Sequence, residues 1–312
     1  MNIFITGATG FVGCYLRELL KPLGHRIWGT AYPEAPQSSY GEKIFYLDIR
    51  SEKDVFEHIQ GIEPDWIFHL AAVSNVRHSW NRRVETLETN LIGTLNLFEG
   101  VRKFSPHARI LFISSSDIYG TESFTGNPLT EEDQVLAMNP YAYTKWSGEV
   151  LSDFYTRVEK LNIVIARPFP HTGPGQSADF VCSDWACQIA RIEKGLSGPE
   201  INVGNISIER DFTDVRDVVL AYVRLIENGK PGEVYNVCSG RSCSLKKILE
   251  LLLSFTNKEI SIRVDPQKLR KVDIPRLVGD NRKIKEEIAW EPKIPIERSL
   301  EELLKYWRLN YS

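Results

Sequence analysis

The hydrophobic positions of this chain come in two alternating textures: short continuous apolar runs, and stretches with apolar residues three and four apart. Residues 3–6 form the first run and predict a strand, and residues 11–20 carry the helical spacing. Residues 25–32 and 44–48 predict two more strands. Ser51, with Asp54 three positions on, predicts a capped helix start, with the helix running to Gln60. A strand follows over 66–72, one long helix over 83–104, and a strand over 109–114. A loop rich in Gly, Thr, Glu and Pro covers 120–140. A helix over 141–160 and a buried strand over 162–168 complete the series.

Strand–helix alternation with nearly unbroken apolar strands predicts an α/β fold, a doubly wound parallel sheet of Rossmann type covered on both faces. After Pro168 the segments shorten, prolines and glycines become denser, and a strand over 233–238 stands alone. This predicts two domains. Residues 1–168 form the dinucleotide-type sheet, and residues 169–312 form a smaller mixed α/β substrate-binding lobe that completes a cleft. Some later segments return to the first domain.

Composition narrows the function classes. The net charge of −3 offers no basic field for nucleic acid or an acidic membrane surface. No apolar run approaches the roughly 20 residues of a bilayer span. Cys14, Cys182, Cys187, Cys238 and Cys243 show no paired CxxC spacing, so neither a disulfide framework nor a metal is expected. Met1 leads straight into Asn2-Ile3-Phe4-Ile5 with no charged region ahead of an apolar one. The expectation is a soluble cytoplasmic protein.

Gly7-Ala8-Thr9-Gly10-Phe11-Val12-Gly13 lies between the first predicted strand and the first predicted helix. In that position the first glycine permits a tight turn and the second lets backbone approach a pyrophosphate. The third allows close helix–strand packing, and the helix N-terminus faces the anion. The alternative is a purely structural turn, but the strand–turn–helix context favours a dinucleotide. An NAD site of this type places an acid on the ribose about 20 residues further on. Here the stretch is Gly29-Thr30-Ala31-Tyr32, with no acid before Glu34 and no arginine directly after the strand. A missing carboxylate removes a repulsion against a 2′-phosphate, so NADP(H) is favoured over NAD(H).

Tyr141 and Lys145 stand at i and i+4, on one helical face. An ammonium beside a phenol is expected to lower its pKa, and such a tyrosine can exchange a proton with a carbinol oxygen. Ser114-Ser115-Ser116-Asp117 ends a buried strand, where α/β sheets present their ligands. A serine hydroxyl there can donate to a carbonyl. Taken singly, these are a surface pair and a turn cap; in this order behind the glycine turn they reinforce one another.

With these pieces the chain resembles the extended short-chain dehydrogenase/reductase family of nucleotide-sugar epimerases, dehydratases and reductases. The resemblance rests on Thr6 to Gly13, His69-Leu70-Ala71-Ala72, Asn90, Ser115 ahead of Tyr119-Gly120, and the Tyr141/Lys145 pair. It implies that Ser115, Tyr141 and Lys145 form the catalytic set, with Asp117 beside them. It places Gly7, Gly10, Phe11, Val12, Gly13, Thr30, Leu70, Ala71, Ala72, Asn90 and His171 along the dinucleotide. Pro168 falls by the nicotinamide, and Asp48 and Ile49 by the adenine.

Val203-Gly204-Asn205 followed by Arg210-Asp211-Phe212 is similar to the GDP-mannose branch of that family. The likeness assigns Ser74, Ser115 and Asn205 to the substrate and Arg210 to its diphosphate. Arg270, three residues before Asp273, matches a second phosphate-binding arginine. For both arginines the alternative is an ordinary ion pair. Gly173-Pro174-Gly175-Gln176 and the stretch 210–217 resemble the reductases of GDP-4-keto-6-deoxy-D-mannose, which implies reduction of a C4 ketone with Tyr141 as proton donor. A GDP-mannose 4,6-dehydratase is the first alternative. Its members carry Glu two residues after a catalytic Thr, where this chain has Ser115 and Asp117, one methylene shorter. A nucleotide-sugar 4-epimerase and a catalytically silent dinucleotide sensor are the others. Pro170 stands where the family usually has a substrate-contacting asparagine, and proline offers no side-chain amide. In relatives the helices matching 83–104 and 141–160 pair across a two-fold axis. That implies a homodimer through Leu91, Leu95, Leu97, Trp146, Val150 and Phe154, against the alternative of burial within one chain.

Overall fold

The apolar runs become strands because their β-branched and aromatic residues can be covered on both faces. The computed structural model describes residues 1–31, 44–120, 126–269 and 274–311. In it β1 (Asn2–Thr6), β2 (Arg26–Ala31), β3 (Ile44–Tyr46), β4 (Trp66–His69), β5 (Arg109–Ile113), β6 (Asn162–Pro168) and β7 (Val234–Val237) form one sheet. Its order is β7-β6-β5-β4-β1-β2-β3, and every neighbouring pair is parallel. The order reverses between β1 and β4, so a crevice opens at the C-terminal ends of those strands.

Alternation along the strands sorts side chains to two cores. Ile3, Ile5, Leu111 and Val164 face α1 (Phe11–Leu20) and, from the later half of the chain, the helix Val215–Asn228. Phe4, Ile67, Ile110 and Phe112 face α2 (Glu52–Ile62) and the helical residues 83–104, here α3. Each fully buried side chain of this size contributes roughly 1.5–3 kcal/mol, so a one-residue slip that exchanged the faces would be heavily disfavoured. Ser51 caps α2 as expected, accepting from the Asp54 amide.

Three expectations are corrected. The strand over 233–238 does not stand alone: as β7 it extends the sheet beside β6, with Tyr235 opposite Ala166, because its buried Tyr235 and Val237 continue the first core. The 83–104 helix is not regular. It runs as Arg83–Leu87, a π turn at Glu88–Ile92, and Gly93–Phe104. Such a turn re-aims a side chain within a helix, and here it contains the inward-facing Asn90. The strands stop short of the expected ends, β4 at His69 and β5 at Ile113, since the chain leaves the sheet there to line the crevice. Tyr32 and Glu34 lie outside the described residues.

A further core lies in the later part of the chain. The helix α4 (Pro140–Arg157) lies against the main sheet. The helices α5 (Val181–Glu193), α6 (Leu245–Ser254) and α7 (Ile296–Asn310) pack Trp185, Ile248, Leu300 and Leu304 around Ile201. Ile201 belongs to the strand Glu200–Val203, which pairs in parallel with Ser261–Val264. Among the described residues no helix is long and apolar enough to cross a membrane.

Candidate active site

The glycine turn is built to bring backbone, not side chains, to the crevice. Gly7 has φ +69°, and a Cβ on Gly13 would sit 2.4 Å from the Gly7 carbonyl oxygen, so α1 can start this close only with glycine there. No side chain caps the α1 terminus at Gly10, which leaves first-turn N–H groups to be met from outside the helix. The Thr30 hydroxyl accepts from the Gly7 amide at 3.0 Å, and its carbonyl accepts from Ala8 at 2.9 Å. Beneath them His69 bridges the Thr6 and Thr94 hydroxyls at 2.8 and 2.9 Å, and burial holds its pKa down to about 3. The ring is therefore neutral. A pyrophosphate fits this cradle because the cavity above it is bounded by amides and a helix N-terminus.

Ser115 follows the end of β5 and accepts from the Asp117 amide at 3.2 Å, capping a short 3-10 turn. Tyr141 opens α4, whose start is fixed by Pro140 and by the Asn139 side chain accepting from Ala142 at 2.8 Å. These local starts bring the Ser115 hydroxyl close enough to the Tyr141 phenol to act on its ionisation. The Lys145 ammonium donates to the Ile113 carbonyl at 2.7 Å and lies 6.0 Å from the Tyr141 ring centroid.

The expected lowering of the Tyr141 pKa is not what the site shows. Burial, and after it the negative charge of Asp117, pushes the phenol up, while the Ser115 hydroxyl acts the other way. The reason is that Lys145 is itself desolvated, which brings its pKa down to about 8, and its ammonium is directed at a carbonyl. A buried phenol above its ordinary range keeps its proton, and so stands ready as a donor.

One continuous cleft of about 1210 Å³ runs past the glycine turn, the Ser115–Tyr141 pair and the later lobe. Every site residue selected from sequence lines it, apart from Asn90 and from Arg270 and Asp273, which lie outside the described residues. Asn90 is buried, accepts from the Val73 amide at 2.7 Å, and donates to Thr144 on α4 at 2.9 Å. Its side chain thus positions the chain after β4 against α4 instead of facing the cleft. His171, held by the Phe169 carbonyl at 3.0 Å, stacks on Phe11 of α1 with ring centroids 6.3 Å apart. Pro170 contributes a carbonyl, which accepts from the Thr213 amide. Asp48 is paired with Arg50 at 2.6 Å, which holds its carboxyl below the usual range. Arg210 donates to the Ile274 carbonyl at 2.7 Å. Its neighbour Asp211 is turned away to clamp the Ser239 and Gly240 amides at 2.8 and 2.9 Å, which fixes the strand that carries Arg210.

Sequence reasoning missed the polar knot under α4. Arg167 makes a two-pronged bond to Glu149 at 2.9 and 2.8 Å and also donates to the Tyr119 hydroxyl at 2.9 Å. Tyr119 in turn donates to Asn236 of β7 at 2.7 Å. The available signal was the spacing: Glu149 stands one turn beyond Lys145 on the same helical face.

A glycine cradle at a β1/β4 switch point, with serine, tyrosine and lysine gathered beside it, defines a nicotinamide-dinucleotide oxidoreductase of the extended short-chain dehydrogenase/reductase class. The chain belongs to the GDP-mannose 4,6 dehydratase family, whose model matches residues 4–303. It is 35% identical to a GDP-6-deoxy-D-mannose reductase of Pseudomonas aeruginosa, over 98% of this chain and 97% of that one. It is 26% identical to a GDP-mannose 4,6-dehydratase of Sordaria araneosa, over 97% of this chain and 60% of that one. The structure of RMD from Pseudomonas aeruginosa complexed with NADPH superposes with a TM-score of 0.87 at 33% identity, covering 99% of each chain.

Proposed function

We propose that this enzyme reduces the C4 ketone of a GDP-4-keto-6-deoxy-hexose, forming GDP-6-deoxy-D-mannose (GDP-D-rhamnose). The observation that carries the reading is the Tyr141 phenol, kept protonated by burial and set near Ser115 inside the cleft. A bound nicotinamide dinucleotide supplies the hydride. Ser115 donates to the ketone oxygen and orients it, Tyr141 gives that oxygen its proton, and Lys145 restores charge balance at the phenol. Gly7, Gly10, Phe11, Val12 and Gly13 hold the pyrophosphate. Thr30, Asp48, Ile49, Leu70, Ala71, Ala72, Pro168 and His171 line the rest of the dinucleotide site. Ser74, Asn205, Arg210, Arg270 and Asp273 take the GDP-sugar. Asn90 acts on the cofactor site indirectly, through Val73 and Thr144. NADP(H) is favoured over NAD(H), since β2 ends in Gly29-Thr30-Ala31 without a carboxylate, and the P. aeruginosa relative is complexed with NADPH.

Dehydration is the second reading, favoured by Asp117, which lines the cleft and acts electrostatically on Tyr141. As base it would have to reach a ring proton with a side chain one methylene shorter than glutamate. A misplacement of about 1 Å can lower a rate by on the order of 100-fold.

The deciding experiment supplies NADPH or NADH with GDP-mannose and, separately, with its 4-keto-6-deoxy derivative. Loss of the reduced coenzyme only with the keto-sugar, with a 6-deoxyhexose product by mass spectrometry, is expected. A keto-sugar formed from GDP-mannose would establish dehydration, and no turnover under any condition would leave a silent dinucleotide binder.

Tyr143, Trp146, Val150 and Phe154, continued by Val158 at the C-cap, form an exposed apolar stripe along α4, and Val84, Leu87 and Ile92 are exposed on α3. These support a homodimer through the two helices. Leu97, grouped with them from sequence, is fully buried in the second core. The five cysteines form no disulfide, which supports a reducing, cytoplasmic location.

A further inference from the structure

The cleft extends beyond the proposed diphosphate residues into a pocket that the reaction does not use. Asp184, on the first turn of α5, pairs there with Lys268 at 2.5 Å, and both side chains line the cleft while remaining about three-quarters buried. Gly204 ties this pair to the proposed substrate site. It immediately precedes Asn205, and a Cβ on it would lie 2.8 Å from the Lys268 carbonyl oxygen. Val181, one turn before Asp184, and Leu269, next to Lys268, add apolar surface to the cleft.

Among the described residues, the hydrogen-bonding capacity of the pair is only partly used. One Asp184 oxygen accepts from Gln188 at 3.0 Å and the other from Lys268, whereas a carboxylate has about four acceptor positions. Lys268 uses a second donor on the Asn202 carbonyl at 3.0 Å, and an ammonium has three. A planar ligand that presents two adjacent donors beside an acceptor would complete both groups. Guanine does this with N1–H, the 2-amino group and O6. Uracil presents a single N–H between two carbonyls, and adenine has no donor on its ring nitrogens at that edge.

We propose that Asp184 and Lys268 read the nucleobase, the carboxylate accepting from guanine N1–H and the 2-amino group while the ammonium donates to O6. This rests on the reading of the substrate as a GDP-sugar and adds the residues that select its base. A site that hydrogen-bonds a ligand group rejects an analogue lacking that group, because its own polar atoms are left unpaired.

The test compares GDP, IDP (which lacks the 2-amino group) and UDP by calorimetry on wild type, D184N, D184A and K268Q, with NADPH binding as the control for folding. Wild type is expected to bind GDP about 10- to 100-fold more tightly than IDP. In D184A and D184N that ratio should fall to within about two-fold. In K268Q both purine nucleotides should weaken alike, leaving the ratio intact, since O6 is common to them. An Asp184 variant that binds NADPH and still prefers GDP over IDP as wild type does overturns the assignment. If one Asp184 variant fails to bind NADPH, the other decides. A wild type that prefers UDP to GDP overturns the GDP-sugar reading itself, a different failure from the first.

Discussion

The ammonium of Lys145 donates to the main-chain carbonyl of Ile113 at 2.7 Å, joining the helix that bears Tyr141 to the end of the central strand β5. Burial sets the charge of the site, because it brings the lysine pKa down to about 8. Lys145 is therefore charged at neutral pH and loses its proton as the pH rises through that value. We expect kcat/KM for ketone reduction to fall on the alkaline side with an apparent pKa near 8. In K145R, which keeps its charge, the limb should move upward. A pH–rate profile of the two enzymes checks this.

The Tyr141 phenol lies in the cleft near Ser115, so removing its hydroxyl removes the proton donor and little else. Y141F is expected to lower kcat by about 100- to 10,000-fold while leaving NADPH fluorescence quenching unchanged. Steady-state kinetics alongside a coenzyme titration separate the two effects. A Y141F enzyme within a few-fold of wild type would remove Tyr141 from the chemistry.

The Arg167–Glu149 pair is buried on both sides, and its loss leaves an uncompensated charge against α4. Breaking such a pair from one side typically costs about 3–5 kcal/mol. R167M should show that loss in urea denaturation. The R167M/E149L double variant should recover part of it, since neither charge then remains.

His69 makes stability depend on acid. In the unfolded chain the imidazole takes up a proton near pH 6.5, whereas burial holds it down to about 3 in the fold. Between those values the unfolded state binds more protons, so this contribution is present above 6.5 and is lost as the pH falls. From pH 6.5 to 5 the loss should be roughly 1–2 kcal/mol. H69Q is expected to flatten that slope in denaturation midpoints measured across the interval.

Val150 sits mid-stripe on α4 at 54% exposure, flanked by Trp146 and Phe154. A charge there is incompatible with an apolar helix–helix contact. If the proposed homodimer forms, V150E should convert it to a monomer by light scattering while leaving the far-ultraviolet spectrum unchanged. A wild-type monomer at micromolar concentration would dispose of the interface.

The sequence by itself determined the sheet, the glycine cradle and the residues on the face of α4, because each follows from local periodicity: period two in a strand, 3.6 in a helix, glycine where a Cβ cannot fit. Ser51 capping α2, and Tyr141 one turn from Lys145, could be read without any distant contact. Tertiary structure alone decided what depends on partners far along the chain. It placed β7 beside β6, across a connection of more than sixty residues between Pro168 and Val234. It turned Asn90 inward at a π turn, gathered Arg167, Glu149, Tyr119 and Asn236 into one buried knot, and set Asp184 against Lys268. It also reversed the expected direction of the Tyr141 pKa. A spacing of four shows that an ammonium and a phenol share a helical face, but desolvation and the position of a nearby carboxylate depend on everything packed around them.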